Sequence, residues 1–162
     1  MPKKGRIDPS DYPLDRVLMT PEEFGRFNPQ RHEFLQLSSV LHYDAEANLI
    51  VCSRVIGEDE WWRRGHIPGR PLFPGVLQAE VLAQASSVHT HLSTGLDEGS
   101  FLGFAGIEEM RFRQSIGPGE KLWVVGAMEK ANLARKAFFW EGEILKEDGT
   151  VACSGRILGM GF

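Results

Sequence analysis

Gly65-His66-Ile67-Pro68-Gly69-Arg70-Pro71-Leu72-Phe73-Pro74-Gly75-Val76-Leu77-Gln78-Ala79-Glu80-Val81-Leu82-Ala83-Gln84 is the stretch whose reading decides the fold. A histidine lies among three prolines and three glycines, and the loop runs straight into an apolar segment with one carboxylate, Glu80. Prolines fix φ and remove backbone donors, while glycines permit bends or close backbone approach. The loop is therefore stiff, which suits a histidine that must be held still. Pro74 is tolerated at a helix start, and Val76, Leu77, Val81, Leu82, Ala85, Val88 and Leu92 recur at helical spacing. They predict a helix from about Gly75 to Leu92, roughly 27 Å long. Its apolar residues cover most of the circumference, so other structure should wrap it. Glu80 is then expected to be at least partly buried, where a carboxylate has to be partnered, neutral or functional. Gln84, one turn on and on the same face, is its nearest local partner.

Outward from this stretch, the 162 residues suffice for one full hydrophobic core. The formal net charge of -4 gives no basic field for nucleic acid. No apolar run approaches the roughly 20 residues that span a membrane, and the N-terminus does not lead into a signal peptide. A cytosolic protein is the simplest conclusion. Cys52 and Cys153 lie in strand-like runs far apart and read as buried free thiols. His89 and His91 are two apart on the predicted helix, so they point to nearly opposite sides and do not make a metal pair. His32 and His42 are isolated, and no glycine-rich phosphate loop is present.

Residues 1 to about 19 are polar, charged and without sustained period, an arm that either packs on the body or stays loose. Together with a short helix starting at Thr20-Pro21-Glu22-Glu23 and ending near Asn28-Pro29, they form a segment 1–29 distinct from the body, 30–162. Leu37 to Ile56 reads as two strands joined near Asp44 to Asn48. Leu49, Val51 and Val55 lie on one face and Ile50, Cys52 and Ile56 on the other, predicting burial on both sides. Glu58-Asp59-Glu60 breaks the pattern before Trp61 and Trp62. After the helix, strands are predicted at about Phe101 to Ser115, Leu122 to Asn132 and Lys136 to Lys146, joined by tight connections. Asp148-Gly149 then turns into a last strand from about Thr150 to Leu158. Strands, one long buried helix and a strand meander give an α+β fold, an antiparallel sheet curled around the helix.

The stretch that opens this reading resembles the signature of the FabZ and FabA group of 3-hydroxyacyl-acyl carrier protein dehydratases, in which G-H-F-P-G-x-P-x-x-P-G-V leads into a helix with E-A-x-A-Q. Ile67 replaces that phenylalanine, and glutamate at position 80 is closer to FabZ than to FabA. A second segment, Phe104 to Arg113 followed by Gly117-Pro118-Gly119-Glu120, resembles FabZ's F-A-G-I-D-x-x-R-F-x-x-P-V-x-P-G-D. Two departures stand out: Gly103 occupies the position of a tyrosine common before F-A-G-I, and Gln30-Arg31-His32-Glu33-Phe34-Leu35 stands in place of H-R-Y-P-F-L.

The resemblance implies the hot-dog fold and reversible dehydration of a 3-hydroxyacyl thioester in fatty acid synthesis, without metal or other cofactor. Histidine titrates near neutrality, so His66 is the expected general base; a carboxyl held neutral by apolar surroundings can protonate the leaving hydroxyl, the expected role of Glu80. The Gly75 N–H at the positive end of the helix is expected to stabilise the thioester oxygen, with Gln84 holding Glu80. In the family the site lies between two subunits, which implies a homodimer, alone or in a trimer of dimers. The acyl chain would run along the helix, and Trp62, Phe73, Val76 and Phe104 are its candidate walls; Trp61 and Trp62 read equally well as core. Arg63, Arg64 and Arg70 are candidate contacts for the acidic acyl carrier protein, against the plainer reading of a solvated charge cluster. Two other readings remain: a hot-dog acyl thioesterase using Glu80 to activate water, and a non-catalytic acyl-carrier binding subunit.

Overall fold

Side-chain alternation and two α-helices account for most of the architecture in this computed structural model, which describes residues Met1–Phe162. Pro21–Phe24 (α1) starts where expected, with Glu23 reaching back to accept the Thr20 N–H at 2.7 Å, but it ends at Gly25, short of the expected Asn28-Pro29. Gly75–Thr94 (α2) begins after Pro74 and ends two residues beyond the expected Leu92 at Gly95, whose φ of 65° is the left-handed cap that favours glycine. Thirteen of its 20 residues are buried, so the helix is enclosed nearly all round. No helix is long and apolar enough to cross a membrane.

Six antiparallel strands curl around α2: Ser39–Asp44 (β1), Leu49–Val55 (β2), Leu102–Phe112 (β3), Lys121–Asn132 (β4), Ala137–Leu145 (β5) and Val151–Gly161 (β6). Their order is β1-β2-β4-β5-β6-β3. The expected meander from β3 onward is therefore corrected: β3 pairs with β6 at the far edge, and β4 pairs with β2. Residues 113–120 make a crossover instead of a hairpin, because they hydrogen-bond elsewhere. Ile116 O accepts the Phe73 N–H, and Ile56 and the 119–120 backbone exchange bonds of 2.8 and 2.9 Å, which delivers the chain to β2. Bulges at Phe104/Gly106 and Glu108/Arg111 bend the edge strand β3.

The two faces of β2 feed two cores. Ile50, Cys52 and Ile56 join Val81, Leu82, Ala85, Val88 and Trp140 around α2. Leu49 and Val51 face outward with Trp123, Val125, Leu145 and Val151, and the N-terminal arm covers them with Ile7 and Leu14. Val55, expected with them, is exposed at the strand's end. The arm is tied down by Gly5 N–H to Gly149 O, Val151 N–H to Lys3 O, and ion pairs of Lys3 with Glu143 and Arg6 with Glu141. It packs on the body.

Trp140 shows how sheet and helix lock. A Cβ on Gly126 or Gly142 would fall 2.0 and 2.1 Å from its ring, so only glycines let the indole lie flat across β4 and β5. Its Nε1–H donates to His89 Nδ1 on α2 at 2.9 Å. His89 is fully buried, and burial pushes its imidazole down to about 4. His91 stacks on Phe27 at 5.0 Å, with Nδ1 2.8 Å from Ser87 O. Both histidines are structural, and no cluster of metal-ligating side chains exists. Cys52 and Cys153 are free and buried; burial pushes both thiols up, Cys153 to about 12, which disfavours them as nucleophiles.

Candidate functional site

The proline-rich loop holds His66 through backbone bonds at both ends. His66 N–H donates to Trp62 O at 2.8 Å, and Leu72 N–H returns to His66 O at 3.1 Å. The imidazole Nδ1 lies 2.8 Å from Leu72 O. A carbonyl can only accept, so Nδ1 carries the hydrogen and Nε2 presents its lone pair outward. The loop thus selects the tautomer able to take a proton, and the ring is exposed in the single chain.

Glu80 sits about 7.5 Å along α2 from Gly75 by helix rise. It is half-buried, and its Oε1 accepts the Gln84 Nε2–H at 2.7 Å, one turn on. Gln84 is itself buried to 1% exposure and fixed by two more bonds: Nε2–H to Phe34 O at 2.7 Å, and Gln36 N–H to its Oε1 at 2.8 Å. Its amide cannot rotate without breaking all three. Asn28 adds a bond to Gln84 O at 3.1 Å. Asn28, Phe34 and Gln36 were not singled out as site residues from the sequence, since all three act on or through the backbone. Phe34 stands in the segment that replaces H-R-Y-P-F-L, and the signal for Asn28 and Gln36 was only their place in the stretch before β1.

A cavity of about 120 Å³ opens beside Glu80, between α2 and the β3–β6 edge. Ala83, Gln84, Ser86 and Ser87 form one wall, with Phe101 to Phe104 and Ile157 opposite. Phe104 is where a pocket wall was expected. Trp62 and Phe73 are not on this cavity: both are 3% exposed, their rings 5.6 Å apart in the core. Val76 is 79% exposed at the start of α2. At Gly103 a Cβ would fall 2.6 Å from the Phe162 ring, so Phe162 takes the space a tyrosine would need.

Gly75, first residue of α2, has an N–H without an intrahelical acceptor and stands at the positive end of the helix. A Cβ there would meet the Phe112 ring at 3.0 Å, so glycine both fits against β3 and leaves its backbone bare. Arg63, Arg64 and Arg70 are all exposed, but Arg63 is held by Glu58, and Glu58, Asp59 and Glu60 share an open groove with Arg63 and Arg64. The surface is mixed in charge.

His66 does not line the cavity that holds Glu80. Within one chain the exposed His66 ring and the half-buried Glu80 carboxyl therefore do not share a cavity.

Known proteins share the sequence family and the fold of this chain. A family model described as a FabA-like domain matches residues 28–155. A 3-hydroxyacyl-[acyl-carrier-protein] dehydratase FabZ from Cronobacter sakazakii is 33% identical over 138 residues, covering 85% of this chain and 89% of that protein. Among solved structures, the dehydratase heterocomplex ApeI:P from Xenorhabdus doucetiae superposes with a TM-score of 0.68 at 21% identity, over 85% of this chain and 89% of that one. The zebra fish thioesterase superfamily member 2 superposes with 0.63 at 15% identity, over 85% and 91%. At these identities the two structures speak for the hot-dog fold alone.

Proposed function

This chain belongs to the FabA-like family, and from that premise we propose that it is a 3-hydroxyacyl-[acyl carrier protein] dehydratase of fatty acid biosynthesis, a hydro-lyase whose site is completed by a second copy of the chain. The observation that carries the reading is the Nδ1–H bond from His66 to Leu72 O, which leaves Nε2 free as a base. His66 Nε2 removes the proton next to the thioester carbonyl. Electron density moves to the carbonyl oxygen, where the bare Gly75 N–H and the helix end stabilise it. Collapse of that charge forms the carbon–carbon double bond and breaks the bond to the 3-hydroxyl, which leaves as water with the proton of the Glu80 carboxyl. His66 ends protonated and Glu80 ionised, and the proton returns from one to the other through water. Gln84 holds Oε1 of Glu80, so the other carboxyl oxygen faces the hydroxyl.

Three features favour a shared site. His66 and the Glu80 cavity are separate within one chain. β3 is an 11-residue edge strand exposed along most of its length, an open template for pairing with another copy. Phe104, Ile107, Phe112 and Val76 also expose large apolar side chains around that edge and the start of α2. Cover from a partner would supply the dry surroundings in which Glu80 acts as an acid. The acyl chain then occupies the cavity beside Glu80, and Arg64 and Arg70 are the more available of the three arginines for an acidic carrier. The same reading places the protein in the cytoplasm.

The test is a short 2-enoyl pantetheine thioester incubated with purified protein, following loss of enone absorbance beside release of free thiol. Reversible hydration without thiol release is the expected result. Thiol release would make the protein a thioesterase, and neither signal would leave acyl-carrier binding alone.

A further inference from the structure

Arg54 is a buried charge and Glu60 a largely covered one, with side chains 10% and 13% exposed, and the motif and the mechanism above have no use for either. Arg54 lies near the end of β2 with 8% exposure, and Glu60 belongs to the acidic run that interrupts the strand pattern. Their ion pair spans 2.9 Å to Oε1 and 3.0 Å to Oε2. Neither charge stops at the other. Glu60 Oε1 accepts the Gly57 N–H at 3.0 Å, and Oε2 accepts the Trp62 Nε1–H at 3.2 Å. Arg54 donates to Val55 O at 2.6 Å and to Gln36 Oε1 at 3.3 Å, and its guanidinium lies 5.4 Å from the centre of the Phe73 ring.

The pair therefore stands midway on a continuous path through one chain. Toward the acid, Gln36 bonds Arg54 by its side chain and Gln84 by its N–H, and Gln84 bonds Glu80. Toward the base, Glu60 bonds the Trp62 indole, and Trp62 O holds the His66 N–H. We propose that the Arg54–Glu60 pair is a positioning element for both halves of the site, setting the Gln84 amide on one side and the His66 loop on the other. This rests on the dehydratase reading for its catalytic consequence. A buried ion pair is weak evidence of stabilisation, since apolar residues of equal volume commonly replace one without loss. Only the charges can orient Gln36, Gly57 and Trp62 together, because each bond has its own direction. In a shared site the Glu80 and His66 of one chain serve different active centres, so the pair ties the acid of one to the base of the other.

The test uses Glu60→Gln, Arg54→Lys and the double variant Arg54→Met/Glu60→Leu in the full-length protein. The double variant leaves no unpaired charge but deprives the buried Trp62 Nε1–H of its acceptor, so it is expected to fold with a melting temperature lower by about 2–12 °C. Its kcat for a short enoyl thioester should fall about 10- to 100-fold, the scale of a small misplacement, while KM moves less than about threefold. Arg54→Lys, which keeps the charge and loses the fork, should recover part of the rate. The pH–rate profile and the His66 ring resonance in a carbon–proton NMR spectrum should shift in the double variant. A folded double variant with wild-type kcat, pH profile and His66 resonance would overturn the proposal. If the wild type performs no hydration, the dehydratase reading fails separately, and the His66 resonance alone decides the positioning: moved supports it, unmoved overturns it.

Discussion

Gln84→Leu keeps the volume of the side chain and removes three hydrogen bonds at once. The Gln36 N–H is the severe loss: Gln36 is 1% exposed, so its donor is left buried without a partner, at about 1–3 kcal/mol. Phe34 is exposed, so water can reach its carbonyl and the net loss there is about 1 kcal/mol. Glu80 is half-buried, which discounts its bond to a similar ~1 kcal/mol. Leucine's own burial offsets roughly 1 kcal/mol of this, leaving a destabilisation of about 2–4 kcal/mol. For a chain of this size that is a melting temperature lower by about 4–16 °C. The freed Glu80 carboxyl should also cost about 10- to 100-fold in kcat. Thermal unfolding followed by circular dichroism, paired with steady-state hydration of a 2-enoyl thioester, reads both. A melting point within about 2 °C of wild type together with unchanged kcat would refute the reasoning, because neither Gln36 nor Glu80 would then depend on Gln84.

Gly126→Ala drives a methyl into the Trp140 ring and should cost about 1–3 kcal/mol or more, visible as a lower melting temperature with altered near-ultraviolet dichroism. His89 gives the stability a pH dependence: its ring is held down at about 4 when folded, against 6.5 unfolded. Above pH 6.5 its contribution is complete; as pH falls toward 4 the unfolded chain binds a proton that the folded chain refuses, removing up to about 3 kcal/mol. His89→Gln, which keeps an acceptor for Trp140, should flatten that slope in urea unfolding across this window. Deleting residues 1–15 strips Ile7 and Leu14 from the outer core, a loss of about 3–6 kcal/mol, and should raise binding of a hydrophobic dye. Arg64→Glu with Arg70→Glu should raise KM for a carrier-protein substrate and leave a small pantetheine thioester unaffected; equal loss on both substrates would show a solvated charge cluster instead.

Periodicity and turn chemistry made much of the fold legible. The α2 pattern, the capping acids after Thr20 and the alternation of Leu49 to Cys52 each had one physically reasonable solution, and the structure adopts them. The pairing of β3 was hidden because it depends on where residues 113–120 find acceptors, and Ile56 and Phe73 are far away in sequence. Trp62 was ambiguous for a similar reason: a tryptophan serves equally as core or as pocket wall until its neighbours are known, and Phe73 and Glu60 fix it in the core. At the candidate site, the stiff loop carrying His66 and the pairing of Glu80 with Gln84 one helical turn apart were legible from residue chemistry, while the roles expected of them came from the resemblance to FabZ and FabA. The imidazole tautomer was not, because a backbone carbonyl six residues on sets it. Nor were Gln36 and Arg54, whose importance lies in whom they touch.

Mixing two inactive variants tests the shared site most directly. His66→Ala and Glu80→Gln, purified separately as folded oligomers, should each lose hydration activity by about 10²–10⁴-fold. After co-refolding with distinct tags, half of the dimers are hybrids, and half of the sites in each hybrid join an intact His66 to an intact Glu80. Activity should recover to about a quarter of the wild-type value. Verified hybrids as inactive as their parents, or single variants as active as the wild type, would contradict a site in which His66 of one chain and Glu80 of another perform the elimination.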